Sequence, residues 1–218
     1  GYRANAMTAP LKESLAAAMV ELSYWNKDRI LLDPLCGSGT IPIEAALIAR
    51  NIAPGLNRSF AAEGWDNIIG RDIWKKVRVD AYKKIDYDCM PKIYGSDLDA
   101  EAIELAKDNA VKAGVDDCIE FEVKPCQKVK LTGDYGVMIS NPPYGERLGE
   151  LKEVEQLYKD MGALMRTNPT WSAYVITSME YFEKLYGRKA DAKRKLFNGR
   201  IKTDYYQFFG PRPPKKER

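Results

Sequence analysis

A short apolar strand that runs into a glycine-rich turn and then a helix is the feature that most constrains this fold. The predicted strand spans residues 30–34, the glycine-rich turn follows it, and the helix is predicted over 39–50. Pro42 fits this helix only in its first turn, where a proline needs no intrahelical N–H bond. Glycines let a backbone approach a ligand closely, and free N–H groups at a helix N-terminus face that ligand. The unit therefore predicts a cofactor cradle in an α/β protein.

Two common forms of this cradle do not fit the sequence. A phosphate-binding P-loop needs Gly-Lys-Ser/Thr, and no lysine stands here; a dinucleotide fingerprint needs a third glycine, where Pro42 falls. The carboxylate of Asp33 before the turn favours a cationic or amine-bearing cofactor. The predicted cofactor-binding residues of the unit are Asp33, Pro34, Cys36, Gly37, Ser38, Gly39 and Thr40.

A second predicted strand, residues 92–97, also ends in an acidic side chain. In doubly wound sheets such an acid can bind ribose hydroxyls, which predicts that role for Asp97. Leu98 could then pack on an adenine face. Asp99 is expected to cap a helix over 100–113, which places several alanines on one face and ends at Gly114.

Residues 141–148 read Asn-Pro-Pro-Tyr-Gly-Glu-Arg-Leu and follow a mostly apolar run over 135–140. Proline cannot donate to a sheet ladder, so the strand must end there, and the residue before a proline is held extended. The Asn141 oxygen and the Pro142 carbonyl can accept two N–H bonds from an exocyclic amine, while Tyr144 can stack on the base. The predicted catalytic residues are Asn141, Pro142, Pro143 and Tyr144, with Asn141 also beside the cofactor.

These three motifs, in this order, resemble the class I S-adenosylmethionine-dependent methyltransferases. The sequence is more specifically similar to THUMP-associated RNA methyltransferases, which modify the exocyclic amine (N2) of guanine in ribosomal RNA. The stretches that carry this similarity are 1–3, 9–14, 52–55, 141–148 and 195–200. The resemblance implies S-adenosyl-L-methionine as cofactor and S-adenosyl-L-homocysteine as product. It also implies a Rossmann-like, mostly parallel seven-stranded sheet with a C-terminal antiparallel hairpin and helices on both faces.

The sequence departs from this family in two places. Members carry an N-terminal THUMP RNA-binding domain and a ferredoxin-like linker, so we expect that such a domain is missing from this chain. They also tend to have an acid after the third strand that bonds the adenine amine. Here the strand Ile119-Glu-Phe-Glu-Val123 runs into Lys124-Pro-Cys-Gln127, which leaves that adenine contact unassigned.

The alternation of strands and helices predicts one domain over residues 1–218. The predicted helices are 8–25, 39–50, 100–113, 150–166 and 179–187, and the predicted strands are 30–34, 92–97, 119–124, 135–140 and 172–178, followed by a hairpin turning at Asn198-Gly199. Residues 51–91 are too long for a plain loop and predict one or two extra helices. A roughly helical spacing relates Trp65, Ile69, Trp74, Val77 and Tyr82, and the aromatic residues among them are expected in the core rather than as an RNA platform.

Composition narrows the chemistry and the partners. There is no histidine, which removes histidine bases and most zinc sites. The four cysteines lack metal or disulfide spacing, and no apolar run is long enough to span a membrane, which predicts a cytoplasmic protein with reduced thiols. Residues 184–218 hold 12 Lys or Arg against 3 Asp or Glu, within a net charge of only +3. This basic part predicts RNA contacts by Arg188, Lys189, Lys193, Arg194 and Arg200, with Arg147 beside the catalytic motif; 215–218 is interpreted as a solvated tail.

Three other functions stay open on the sequence. The Asn-Pro-Pro-Tyr arrangement serves any planar exocyclic amine, so an N6-adenine methyltransferase of DNA or RNA is an alternative. A catalytically silent RNA-assembly factor that binds the cofactor is a second, against which the intact Asn141 and Tyr144 argue. A small-molecule methyltransferase is disfavoured by the basic C-terminal part.

Overall fold

The computed structural model describes residues 2, 11–65, 67–145 and 151–214. Its strands are β1 Leu31–Asp33, β2 Ile93–Asp97, β3 Ile119–Val123, β4 Val137–Ser140, β5 Ser172–Thr177, β6 Ala192–Asn198 and β7 Ile201–Phe208. Its α-helices are α1 Glu13–Leu22, α2 Thr40–Ala49, α3 Arg71–Lys83, α4 Ala100–Ala113, α5 Leu151–Arg166 and α6 Phe182–Tyr186. Short 3-10 turns span Ala61–Gly64, Asp116–Cys118 and Cys126–Lys128.

The seven strands form one sheet in the order β3-β2-β1-β4-β5-β7-β6. The first five pair in parallel, while β7 lies antiparallel between β5 and β6. This topology confirms the fold that the resemblance implies. Because parallel strands end at the same edge, the C-terminal residues of β1, β2, β4 and β5 share one edge of the sheet. Those residues are Asp33, Asp97, Ser140 and Thr177.

Helices cover both faces of the sheet, as expected. One core cluster packs α1, α2 and α4 against side chains such as Leu31 and Ile139, and a second packs α5 and α6 against Met138 and Val175. Successive residues of a strand face opposite sides, so β4 and β5 supply both clusters and are buried at every position. That double burial explains why these strands read as continuous apolar runs.

The two helices that flank the predicted cradle begin as expected. Gly39 caps α2 in the left-handed region (φ 80°), and Pro42 falls in the first turn of that helix. The Asp99 carboxylate accepts the backbone N–H of Glu101 at 2.9 Å and so caps α4, which ends at left-handed Gly114. Local cap chemistry thus fixes both helix starts at the edge where β1 and β2 end.

Several predicted boundaries are wrong, and turn chemistry explains the differences. The start predicted at residue 8 lies outside the described residues; residues 11–12 are not helical, and the helix runs from Glu13 to Leu22 rather than to residue 25. At its end the Ser23 hydroxyl donates to the Val20 carbonyl at 2.6 Å. Helix α6 covers only Phe182–Tyr186, because a turn in which Thr177 Oγ1 accepts the Met179 N–H precedes it.

The final hairpin exists, but its loop lies one residue further along than predicted. Asn198 pairs with Ile201, so the two-residue loop is Gly199-Arg200. Only Gly199 of these two has a positive φ, 64°. A glycine in the first loop position with this conformation is typical of a type II′ turn.

The insertion over 51–91 contains the 3-10 turn and α3, which confirms one or two extra helices. The expectation that its aromatic residues are core is wrong for Trp65 and Tyr82, which are 53% and 48% exposed. Val77, which shares their helical spacing, is 57% exposed. The segment packs mainly on itself: Phe60 stacks on Trp74 with ring centroids 5.9 Å apart. Helical spacing predicted the helix, but nothing in the described chain covers its outer face. In the described ranges no helix has the length and apolarity needed to cross a bilayer.

Candidate active site

Asp33, at the end of β1, is buried, and its carboxylate accepts hydrogen bonds from β4 and from the turn that follows β1. It is 1% exposed, and its Oδ1 accepts the Ser140 hydroxyl at 2.8 Å and the Leu35 N–H at 3.2 Å. Burial raises the pKa of Asp33 to about 7, and the nearby Asp97 carboxylate acts in the same direction while the two hydrogen bonds oppose it. The Asp33 carboxyl therefore titrates near neutral pH, and a neighbouring cation would favour its ionised form.

Asp97, at the end of β2, ties the glycine-rich turn to the sheet. One carboxylate oxygen accepts the Gly37 N–H at 2.8 Å and the other accepts the Asp99 N–H at 3.1 Å. The Cys36 N–H also donates to the carbonyl of Ser96 in β2, at 2.9 Å. A carboxylate has about four lone-pair sites, so Asp97 keeps acceptor capacity for two hydroxyls of a ribose.

Glycines are required where the turn and β2 approach the Phe121 ring, while the other side of the turn is open. A Cβ at Gly39 would lie 2.9 Å from the Phe121 ring, and one at Gly95 would lie 2.7 Å from it. Gly37, with φ 50°, has nothing within 4 Å of its ideal Cβ position. The turn is thus packed tightly against β2 and β3 and open on its outer side. This open cradle fits the cofactor that the resemblance implies.

Three other predicted cofactor residues have distinct surroundings. The Ser38 carbonyl accepts the side-chain amide of fully buried Asn109 at 3.1 Å, which fixes the turn from α4. Burial raises the pKa of Cys36 well above its usual range, consistent with a packing residue rather than a nucleophile. Leu98 is 71% exposed beside the turn, so its side chain presents a free apolar surface.

The Asn-Pro-Pro-Tyr segment follows β4 and is held by hydroxyl groups. The Tyr144 hydroxyl donates to Asn141 Oδ1 at 2.7 Å. The hydroxyl of fully buried Tyr158, on α5, donates to the Pro143 carbonyl at 2.8 Å and lies 2.8 Å from Thr177 Oγ1. The side-chain amide of Asn198 donates to the Tyr144 oxygen at 3.3 Å. We call residues 141–144 the acceptor turn.

One hydrogen bond joins the cofactor cradle to the acceptor turn. Ser140 immediately precedes Asn141, and its hydroxyl donates to Asp33, which immediately precedes the glycine-rich turn. Since β1 and β4 are neighbouring parallel strands, both turns leave the same edge of the sheet. The predicted cofactor residues and the predicted catalytic residues therefore come together.

The predicted RNA-binding residues do not form one group. Arg188 pairs with Asp191 at 2.7 Å and bonds the Phe209 carbonyl, and Lys193 pairs with Glu183 at 3.1 Å. Strand directions place Arg200 in the hairpin loop at the edge of the acceptor turn, and Arg188 at the opposite edge. Lys189 and Arg194 are exposed. Arg147 lies outside the described residues.

Sequence reasoning missed four side chains that hold this site together: Asn109, Ser140, Tyr158 and Asn198. Each makes a contact between segments that are distant in sequence. Asn198 falls within the similar stretch 195–200, but the sequence assigned it only to the hairpin. Ser140 stands immediately before the Asn-Pro-Pro-Tyr motif, and that position was a second local signal.

Comparison with known proteins places this geometry in a family. Residues 1–207 match the family UPF0020, described as RMKL-like, methyltransferase domain. A Bacillus subtilis (strain 168) protein named "Putative RNA methyltransferase YpsC" is 51% identical over 218 residues, which are 100% of this chain and 56% of that protein. The ribosomal RNA large subunit methyltransferase K/L of Shewanella sediminis is 42% identical over 94% of this chain and 30% of its own length. The chain thus spans about half, or less, of these relatives.

Solved structures agree with the sequence relatives. A structure described as "SMU.472, a putative methyltransferase complexed with SAH" superposes with a TM-score of 0.92 at 45% identity, covering 98% of this chain and 56% of that one. A Listeria monocytogenes protein described as a "predicted N6-adenine-specific DNA methylase" superposes with a TM-score of 0.90 at 50% identity, covering 97% and 54%. With a family match along nearly its whole length, the chain belongs to the RMKL-like methyltransferase domain family.

Proposed function

We propose that this domain binds S-adenosyl-L-methionine and transfers its methyl group to the exocyclic N2 amine of guanine in RNA, namely ribosomal RNA of the large subunit. The observation that carries the proposal is the Ser140–Asp33 hydrogen bond, because it fixes the amide-bearing turn beside the glycine-rich cradle. A donor site and an acceptor site on adjacent strand ends are what direct transfer between two bound molecules needs.

The cradle supplies the contacts for the cofactor. The open outer side of Gly37 admits the methionine end, near the Asp33 carboxyl, and Asp97 accepts the ribose hydroxyls. Leu98 packs on the adenine. The complex of the similar SMU.472 protein with SAH supports this use of the cradle. When bound, S-adenosylmethionine supplies an electrophilic sulfonium methyl group.

The acceptor turn prepares the nucleophile. Asn141 Oδ1 and the Pro142 carbonyl accept the two N–H bonds of the target amine, which favours a nitrogen whose lone pair points at the methyl group. Positive charge develops on that nitrogen during attack, and the two oxygens stabilise it electrostatically. The methylated nitrogen would then lose one proton to water, and S-adenosylhomocysteine would leave as the demethylated product. Tyr144 stacks on the base, which must be unpaired or flipped out of its helix to reach this turn.

RNA as substrate is supported by the charge of the C-terminal part and by the names of the two sequence relatives. Among the predicted RNA contacts that the structure describes, Arg200 lies at the edge of the acceptor turn, so it is the best placed of them for the phosphates beside the target base. Phosphate contacts of this kind position a nucleic acid without reading its sequence.

N6 of adenine is the second candidate acceptor. The Listeria structure with 50% identity is described as an N6-adenine-specific DNA methylase, and the acceptor turn can hold either amine. Guanine is preferred because the sequence following Tyr144 resembles the guanine-modifying family. The preference for guanine over adenine rests on this resemblance, so the identity of the methylated nucleoside is what distinguishes the two.

Nucleoside mass spectrometry tests the proposed function directly. The chain is incubated with unmodified large-subunit ribosomal RNA and S-adenosylmethionine, and the digested RNA is compared with a reaction lacking the cofactor. N2-methylguanosine is the expected product. Detection of N6-methyladenosine instead would identify adenine as the acceptor. A wild-type protein that shows no cofactor binding by calorimetry would contradict the whole proposal.

A further inference from the structure

The side chain of Asn198 begins a chain of two hydrogen bonds that ends on Asn141. Asn198 Nδ2 donates to the Tyr144 oxygen at 3.3 Å, and the Tyr144 O–H donates to Asn141 Oδ1 at 2.7 Å. Asn198 is the last residue of β6, and its amide is 54 residues from Tyr144 in sequence. The C-terminal hairpin therefore contacts the acceptor turn through one side-chain amide.

The orientation of the Asn198 carboxamide, with its NH₂ group toward Tyr144, gives this chain a direction. An amide N–H can only donate, so the Tyr144 oxygen accepts at one end and its single proton points to the other. An O–H directed at Asn141 needs an oxygen there, which disfavours the flipped carboxamide that would present its NH₂ group. A carbonyl oxygen has two lone pairs, so Asn141 keeps one for the target amine.

We propose that Asn198 is a positioning residue that sets the orientation of the Asn141 carboxamide through the Tyr144 hydroxyl. This inference rests on the proposed role of Asn141 as acceptor of the target amine. A flipped Asn141 would present N–H bonds to the N–H bonds of the base, and the two sets of donors would repel. The hairpin thus keeps the acceptor turn in the orientation that binds an amine.

The substitution Asn198→Asp reverses the direction of the chain with almost no change in shape. A carboxylate only accepts, so the Tyr144 proton turns to residue 198 and Asn141 loses its donor. With unmodified large-subunit ribosomal RNA at saturation, we expect kcat to fall about tenfold or more, while the KM for S-adenosylmethionine is retained. Asn198→Ala removes the amide without reversing the chain and should reduce kcat less.

Lys202→Gln provides a matched control for charge. It changes the net charge by the same single unit on the same hairpin, and Lys202 is exposed. Its kcat should stay at the wild-type value. In a Tyr144→Phe background, Asn198→Asp should cause no further loss, because the hydroxyl that transmits its effect is gone.

A readout that does not need turnover separates this inference from the proposed function. In ¹⁵N-labelled protein, Asn198→Asp should shift the side-chain NH₂ signals of Asn141, and Lys202→Gln should leave them in place. Unshifted Asn141 signals, losses that add fully in the Tyr144→Phe background, or equal effects of Asn198→Asp and Asn198→Ala would each overturn the inference. Shifted signals in a protein that methylates no RNA would support the positioning role and contradict the proposed function.

Discussion

The cofactor cradle and the acceptor turn lie at the same edge of the sheet but are held in different ways. The cradle is fixed by backbone N–H groups and close packing: Asp97 accepts two N–H bonds, and Gly39 and Gly95 admit the Phe121 ring. The acceptor turn is held by side-chain hydroxyls and one amide from α5 and β6. Backbone contacts hold the cradle in the same way for any substrate. Side-chain contacts, in contrast, can be changed by substitution, so the acceptor turn can be adapted to one base.

The largest effect that distinguishes the two sides is expected for Asn141→Ala. Its amide acts on the target amine, so kcat should fall by about 100- to 1000-fold, the usual cost of losing one preorganised electrostatic contact. Cofactor affinity should stay nearly unchanged. Activity assays and calorimetry on the same preparation measure both quantities, and an equal loss of cofactor binding would assign Asn141 a structural role.

The second prediction concerns Asp33, where the two sides meet. The folded protein keeps the carboxyl protonated up to a pKa of about 7, against 3.8 for an ordinary aspartate. The associated stabilisation is complete below about pH 4 and is lost as the pH rises to 7, by a few kcal/mol in total.

Asp33→Asn should flatten this part of the stability profile, because an amide oxygen can still accept from Ser140 and Leu35 but does not titrate. Denaturant unfolding between pH 4 and pH 8 provides the measurement. Identical pH profiles for the wild type and the variant would show that folding does not raise the pKa of Asp33, and the assigned burial effect would be wrong.

The same contrast explains what the sequence could predict. The cradle is local: the strand, the turn, the helix and Asp33 lie within about twenty residues, and turn and cap chemistry specify them without distant partners. The order of elements in turn predicted the sheet, because each strand is followed by a helix or a clear stop. The resemblance added the antiparallel hairpin.

The supports of the acceptor turn were not predictable, because they are contacts between distant segments. No motif marks Tyr158 within the sequence of α5, and only the fold brings its hydroxyl to the Pro143 carbonyl. The core prediction for exposed residues of the insertion was wrong for a related reason. Helical spacing of apolar residues indicates a helix but does not show which element covers it. Side-chain partners across the fold carry no pattern in a single sequence.

Asp97→Ala is the matching test of the cofactor cradle. It removes the carboxylate that accepts the Gly37 and Asp99 N–H groups and, in the proposal, the ribose hydroxyls. Cofactor binding should weaken by about 1.5–3 kcal/mol, the range for hydrogen bonds to a charged group. With saturating cofactor, kcat should recover more fully than it does for Asn141→Ala. Calorimetric titration gives the affinity, and unchanged binding would leave Asp97 with a role in the loop alone.

The smallest effect is expected for the basic residues, where the acceptor edge can be compared with the opposite edge of the sheet. Arg200 lies beside the acceptor turn, whereas Arg188 is already paired with Asp191 at the other edge. The chain alone should bind RNA with a Kd of about 10⁻⁴–10⁻⁶ M at physiological salt, the range of non-specific phosphate contact. Arg200→Gln should lower the slope of log affinity against log salt by about 1, and Arg188→Gln by less.

Gel-shift titrations over a salt series test this last comparison. Equal slopes for both variants would mean that RNA contacts the two edges alike, and the placement of RNA beside Arg200 would be wrong. Tight, salt-insensitive binding that both variants retain would instead locate recognition away from the basic part, and the exposed aromatic residues of the insertion would be the next surface to substitute.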